Sequence, residues 1–274
     1  FAYLVGNALF LVDFFSAAAF LNWRKTAENH LRKWLDAWSE MEVLISFASI
    51  GQTRESYCFP KLLDGDNPRI KARNLRSLLI ADKDSIPNSA DLRTCTTIIT
   101  GANMSGKTTW IRTLASSVLL AYAGAPVCAE SFSVSRMAIF TSIRVNDDIS
   151  QGMSTFYAEL LRIKSMIEYS EKKLPMLICI DEIFKGTNEE DRLLGAKEAI
   201  KRLTNKRSIT LVTTHDFELC YMTSKNDIPI YNAHFQEYYE DEKIKFDYQL
   251  REGRCTTTNA KYLLKLTGIL IDEE

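Results

Sequence analysis

Thr97-Ile98-Ile99-Thr100-Gly101-Ala102-Asn103-Met104-Ser105-Gly106-Lys107-Thr108-Thr109 is the stretch from which the rest of the chain can be read. A β-branched, apolar run enters a Gly-x-x-x-x-Gly-Lys-Thr loop, and Trp110, Ile111, Leu114, Val118 and Leu119 leave it at helical spacing. Strand, glycine loop, helix is the context in which this motif wraps phosphate. Glycines at 101 and 106 let the backbone turn successive N–H groups inward around an anion. The helix N-terminus adds the positive end of its dipole. Gly101 to Thr109 is therefore the expected nucleotide cradle, with Lys107 reaching the β- and γ-phosphates and the Thr108 hydroxyl on Mg²⁺. The plain alternative is a glycine turn between a core strand and a core helix.

Working outward, Met176-Leu177-Ile178-Cys179-Ile180 is a continuous apolar run of the kind a parallel strand shows when buried on both faces. Asp181-Glu182 stands at its C-terminal end, Asp181 placed to hold Mg²⁺ and Glu182 to orient or deprotonate the attacking water. A second run, Ile209-Thr210-Leu211-Val212-Thr213-Thr214, ends at His215-Asp216, which puts His215 where it can hydrogen-bond a γ-phosphate. Helices to about 123, over 158–167 and over 191–203 alternate with these runs and with a strand near 137–142. That order predicts an α/β fold with a mostly parallel sheet and its chemistry at the strand C-termini. Period-two alternation from Tyr238 to Leu250 around Glu240-Asp241-Glu242 predicts a closing hairpin, followed by a helix over 259–267.

The 274 residues, 46% apolar and 25% charged, allow one large domain or two modest ones and exclude a disordered chain. A net charge of −1 draws no polyanion by itself. Lys71-Ala72-Arg73 with Arg76 is the nearest approach to a basic patch and reads as a solvated face. Six cysteines without a C-x-x-C pair read as reduced cytosolic thiols, several of them core residues, and three histidines complete no zinc pattern.

The N-terminal part, 1–60, reads as a helical segment. Residues 1–20 are nearly long and apolar enough to cross a bilayer, but Asn7 and Asp13 favour a buried helix, with the end of a membrane anchor as the alternative. Trp23, Ala27, Leu31, Trp34, Leu35, Trp38, Met41 and Ile45 recur at helical spacing through 21–50 and predict a buried seam rather than a base-stacking surface. Residues 61–90 read as a linker with lead-in strands, and 91–274 as the nucleotide domain. Phe1 in place of a methionine reads as a fragment or a processed product.

Together these residues resemble the ATPase domain of the MutS family of DNA mismatch-repair proteins, a branch of the ABC-type P-loop ATPases. The resemblance rests on the 101–108 loop with its Asn-Met, on Gly152-Met153-Ser154-Thr155-Phe156-Tyr157-Ala158-Glu159-Leu160, on Asp181-Glu182, Gly186-Thr187-Asn188 and Asp191-Arg192, and on Thr213-Thr214-His215-Asp216. Ile86-Pro87-Asn88 resembles the stretch that meets the adenine, which makes Ile86 and Asn88 expected nucleotide contacts. The resemblance implies ATP hydrolysis with Mg²⁺, a homodimer sandwiching ATP, Ser154 acting in trans on the γ-phosphate, and DNA as a partner. From the residues alone, Ser154 serves equally as a helix N-cap. Departures are Lys-Thr-Thr at the loop end, no His-Pro near Leu75-Arg76-Ser77, and the tail Thr256-Thr257-Thr258-Asn259-Ala260. Neither a terminal helix-turn-helix nor room for mismatch-reading domains is present, so mismatch recognition is not expected of this chain. A cytoplasmic protein is expected. The alternatives are a membrane-tethered ATPase acting on something other than DNA, and a nucleotide-binding scaffold without turnover.

Overall fold

The structure is a computed structural model that describes residues 2–28, 30–143, 155–184, 188–224, 227–240 and 243–255. The chain divides into two compact units, Phe1–Thr53 and Arg54–Glu274.

The first unit holds three helices, α1 (Ala2–Phe10), α2 (Val12–Glu28) and α3 (Leu31–Thr53). The chain turns at Leu11, which takes a φ of 47°. Asp13, in the first turn of α2, closes that bend. Its carboxylate accepts from the Tyr3 hydroxyl at 2.6 Å and from Asn7 Nδ2 at 2.5 Å, and its backbone N–H donates to Asn7 Oδ1 at 2.8 Å. No single described helix is long and apolar enough to cross a membrane. Two expectations are corrected here. The 21–50 run is helical as expected, in α2 and α3, but its apolar stripe is not a buried seam: Ala27 is buried, whereas Trp23, Trp34 and Trp38 are 57%, 53% and 64% exposed. Residues 1–20 are likewise not a buried helix, since Leu4, Leu9, Phe10, Phe14 and Phe15 all face outward. Periodicity reports which face of a helix is apolar; burial also needs a second layer, and within this unit only Ala27 and Ile50 are buried among the described residues.

The second unit is built on two sheets. The larger has six strands in the order β10-β9-β4-β8-β7-β6: β4 (Cys95–Thr100), β6 (Ala138–Ser142), β7 (Met176–Asp181), β8 (Ser208–Thr213), β9 (Ile230–Glu240) and β10 (Lys243–Glu252). All neighbours pair in parallel except the β9–β10 hairpin, which is antiparallel at the edge. Helices α4 (Lys107–Tyr122), α5 (Thr155–Ser170) and α6 (Glu189–Leu203) return the chain between parallel strands. Every residue of β4 and β8 is buried, because helices cover both faces. Ile99 and Leu211 pack with Ile111, Leu114 and Val118 of α4. Their strand neighbours Ile98 and Val212 point the other way, into a core with Ile163 and Met166 of α5 and Ala196, Ile200 and Leu203 of α6.

A four-stranded sheet, in the order β1-β5-β2-β3, lies in the same unit: β1 (Lys61–Leu63), β2 (Arg69–Leu75), β3 (Asn88–Arg93) and β5 (Ser131–Ser135). Residues 61–90 thus supply β1, β2 and the start of β3. Strand β5 escapes a reading by composition because Ser-Phe-Ser-Val-Ser carries only Phe132 and Val134 into the core, where they meet Ile70 and Ala72. Lys71 and Arg73 lie on the solvated face, as expected, and Arg73 pairs with Glu130 at 3.0 Å; Arg76, expected on the same face, is instead half-buried and donates to the Asp82 and Ser85 carbonyls. The helix expected over 259–267 lies outside the described residues.

Candidate functional site

The carboxyl ends of β4, β7 and β8 lie side by side, and the chemistry-bearing residues emerge from all three. At the end of β4 the backbone must turn sharply. Gly101 takes a φ of +146°, and a Cβ there would fall 2.7 Å from the Phe235 carbonyl oxygen and 2.9 Å from Ser105 Oγ. Gly106, at +108°, is the N-cap of α4. Only glycine meets both demands without strain. Ala102, Asn103 and Met104 form the outer turn of the loop, with Met104 exposed at a φ of 67°.

Lys107 is buried, and its Nζ donates to the carbonyls of Gly101 at 2.7 Å and Ala102 at 2.8 Å. Thr108 Oγ1 donates to the Asp181 carboxylate, 2.9 Å from each oxygen. The parallel register of β7 and β8 sets Thr213 opposite Asp181, and Thr213 Oγ1 donates to Asp181 Oδ1 at 2.7 Å. Glu182, at a φ of 53°, donates its backbone N–H to Thr213 Oγ1 at 2.9 Å and to the Thr213 carbonyl at 3.1 Å. His215 Nε2 lies 3.2 Å from Glu182 Oε1. Lys107, Thr108, Asp181, Glu182 and His215 are therefore brought together, as their order along the chain had led one to expect.

Two further polar groups sit under the loop. Ser105 Oγ is buried without a hydrogen-bond partner. Glu237, on the same face of β9 as Phe235, is buried with an unpartnered Oε2; burial pushes its carboxyl above the usual carboxylate range, and the Lys107 charge opposes this.

Beside the loop opens a cavity of about 790 Å³, to which Ile86, Asn88, Met104, Gly106, Thr109 and Tyr248 contribute. Asn88 also ties β3 to β10: its Nδ2 donates to the Tyr248 carbonyl at 2.9 Å and its Oδ1 accepts from the Leu250 N–H at 2.7 Å. Asn188 caps α6, accepting from the Asp191 N–H at 2.9 Å. Ser154, Gly186 and Thr187 lie outside the described residues.

Several contributors went unassigned at the level of sequence. Thr213 holds both Asp181 and Glu182, a role legible only from the cross-strand register. Arg192, on α6, grips Asp216 with two hydrogen bonds at 3.0 and 2.8 Å and so fixes the turn that carries His215. Glu159 of α5 accepts from the Phe184 N–H at 2.8 Å and anchors the segment after Glu182. All six cysteines are thiols rather than disulfides; burial pushes Cys179 up to about 12, which leaves it inert at neutral pH.

The residues fit a polyanion bound with a hard cation. The glycine bend, the α4 N-terminus and Lys107 form a cradle of positive character, and Ser105 Oγ has a hydrogen-bonding capacity unused. Thr108 and Asp181 present the oxygen donors that Mg²⁺ prefers. Among the described residues no group of three or more His, Cys, Asp or Glu side chains is arranged to hold a metal ion by itself. A metal here would therefore take its other ligands from phosphate and water.

Comparison with known proteins follows the same residues. Residues 97–269 match the family described as MutS domain V. Over 261 residues the chain is 27% identical to the DNA mismatch repair protein MutS of Streptococcus agalactiae serotype Ia, an alignment covering 92% of this chain and 30% of that protein. The chain thus spans under a third of the length of the curated relative it matches. The matched family span contains the glycine loop and the ends of β7 and β8, and on that footing the chain belongs to the MutS family, through its domain V.

Proposed function

We propose that this chain binds ATP with Mg²⁺ at the glycine loop and hydrolyses it, as the P-loop, ABC-type engine of a MutS-like DNA repair or recombination protein. The observation that carries the reading is the convergence of Thr108, Asp181, Glu182 and His215 at adjacent strand ends beside Lys107. In this reading the phosphates take the place of the Gly101 and Ala102 carbonyls as partners of the Lys107 ammonium, and the loop N–H groups receive their oxygens. Thr108 and Asp181 would hold the metal, which would supply positive charge against the phosphates. Glu182, fixed through its backbone by Thr213, accepts a hydrogen bond from the attacking water and aligns it with the γ-phosphorus. His215 donates to the γ-phosphate, held there by the Arg192–Asp216 pair. Ile86 and Asn88 receive the adenosine end in the adjoining cavity.

In the same reading two copies close on ATP. Ser154 of each reaches the γ-phosphate held by the other, and Gly186, Thr187 and Asn188 line the facing surface. DNA is the substrate that the family relationship suggests, with mismatch reading left to segments other than this one.

The test is ATP turnover by this chain with and without duplex, mismatched and branched DNA, at low and near-physiological salt. Turnover that requires Mg²⁺ and changes with one DNA structure at the higher salt is expected. Absence of Mg²⁺-dependent turnover overturns the ATPase reading; turnover indifferent to every DNA overturns the DNA part alone.

A further inference from the structure

Within 2–22 the only charged residue is Asp13, and the exposed large hydrophobic side chains there are 40–70% exposed, with Leu4, Leu9, Phe10, Phe14, Phe15 and Phe20 at 58–70%. An exposed apolar set of this kind needs an occupant. Three observations bear on which one.

The first is the state of Asp13. Each of its carboxylate oxygens is hydrogen-bonded inside the helix pair, one by Tyr3 and the other by Asn7, and Asn7 in return accepts the Asp13 N–H. Water would satisfy a carboxylate at a surface bend without any such arrangement. In hydrocarbon every polar group must find its partner within the protein, and this bend does so. The second is length. Helices α1 and α2 have the length and apolar composition of a membrane segment only when taken together, and they are bent by 72°. The apolar part of α2, from Val12 to Leu21, measures about 15 Å at the helical rise per residue, half of a ~30 Å hydrocarbon core. It reaches through one leaflet and stops. The third is what stands where it stops: Trp23-Arg24-Lys25 ends the apolar part, and Arg32-Lys33-Trp34 follows in the first turn of α3. Tryptophan beside lysine and arginine is the composition of the headgroup region, and four cations match anionic lipid.

We propose that the α1–α2 pair is a monotopic membrane anchor. It inserts into a single leaflet as a bent pair, with Phe10, Phe14 and Phe15 among the acyl chains and Trp23, Arg24 and Lys25 at the headgroups. The insertion of α1 and α2 owes nothing to the nucleotide reading.

The test is flotation of the 274-residue chain with vesicles of phosphatidylcholine, with and without a minor share of phosphatidylglycerol. Co-flotation with both is expected, stronger with the anionic lipid. The double variant Phe14→Asp/Phe15→Asp is expected to lower partitioning by about tenfold or more, since it removes two inserted aromatics. Arg24→Glu/Lys25→Glu is expected to abolish only the increment due to phosphatidylglycerol. All four positions are exposed, so thermal unfolding serves as the control for an intact fold. Failure of the unaltered chain to float overturns the anchor, as does flotation indifferent to the Phe14/Phe15 change. Light scattering separates the remaining occupant: self-association that depends on Phe14 and Phe15, without vesicle binding, assigns the face to a second copy and likewise overturns the proposal.

Discussion

Strands β4 and β8 and helices α2 and α3 all carry regular apolar patterns, yet they end in opposite environments. Every β4 and β8 side chain is enclosed, while the tryptophans of α2 and α3 stay more than half exposed. The difference is one of company rather than of hydrophobicity. A central parallel strand receives hydrogen-bonded neighbours on both sides and helices on both faces, so its apolar run cannot remain uncovered. A helix satisfies its own backbone and can present an apolar stripe to whatever lies outside. The sheet unit is thus self-sufficient in its packing, and the helical unit leaves most of its apolar side chains uncovered within itself.

This contrast can be broken first by chemistry. Glu182→Gln is expected to lower ATP turnover by about 10²–10⁴-fold, to leave nucleotide binding intact and to trap an ATP-bound dimer visible in light scattering. Glu40→Gln on the exposed surface of α3 should alter neither. A Glu182→Gln protein with full turnover would remove Glu182 from the reaction.

Packing gives the next largest effect. Ile178→Ala empties a fully buried site in β7 and is expected to cost about 2–5 kcal/mol. Trp38→Ala, for all its larger area, should stay within about 0.5 kcal/mol. Denaturant unfolding measures both, and a Trp38→Ala cost equal to that of Ile178→Ala would show that the helical face is covered after all.

Glycine substitutions sharpen the same comparison. Gly101→Ala meets the Phe235 carbonyl at 2.7 Å in a backbone conformation closed to alanine, whereas an added Cβ at Gly6 in α1 meets nothing within 4 Å. The first is expected to destabilise by about 1–3 kcal/mol and to weaken nucleotide binding. The second should stabilise α1 by about 0.5–1 kcal/mol through helix propensity. Equal tolerance of both would mean that the loop opens without strain.

The smallest effect is a pH dependence. A carboxyl raised in the folded state binds its proton more tightly there than in the unfolded chain, so the stability it contributes is full at low pH and is lost as pH rises. Glu237→Gln is expected to raise Tm at neutral and higher pH, by about 2 °C, with the gain vanishing as pH falls below the ordinary carboxylate range. A Tm difference independent of pH would instead assign the effect to packing.

The glycine loop, the two apolar runs and the residues at their ends were legible locally. Gly101, Lys107 and Thr108 are specified by spacing, and Asp181 and His215 each close a recognisable strand. Strand β5 was not, because three of its five residues are serine and only a partner sheet makes Phe132 and Val134 inward-facing. Asn88 was read as a nucleotide contact, and the fold also employs it as a strap to β10, which lies 160 residues further along.

By itself the sequence determined residue type and period: which segments form helix or strand, where the backbone must accept glycine, and which acids and hydroxyls stand at strand ends. Those properties depend on neighbours a few positions away. Only the tertiary structure decided that Thr213 would support both Asp181 and Glu182, that Arg192 would steady the turn of His215, and that the α1–α3 stripes would find no cover within their own unit. Each of these depends on strand register or on the presence of a second layer, and both are contacts between segments distant in the chain that no local pattern encodes.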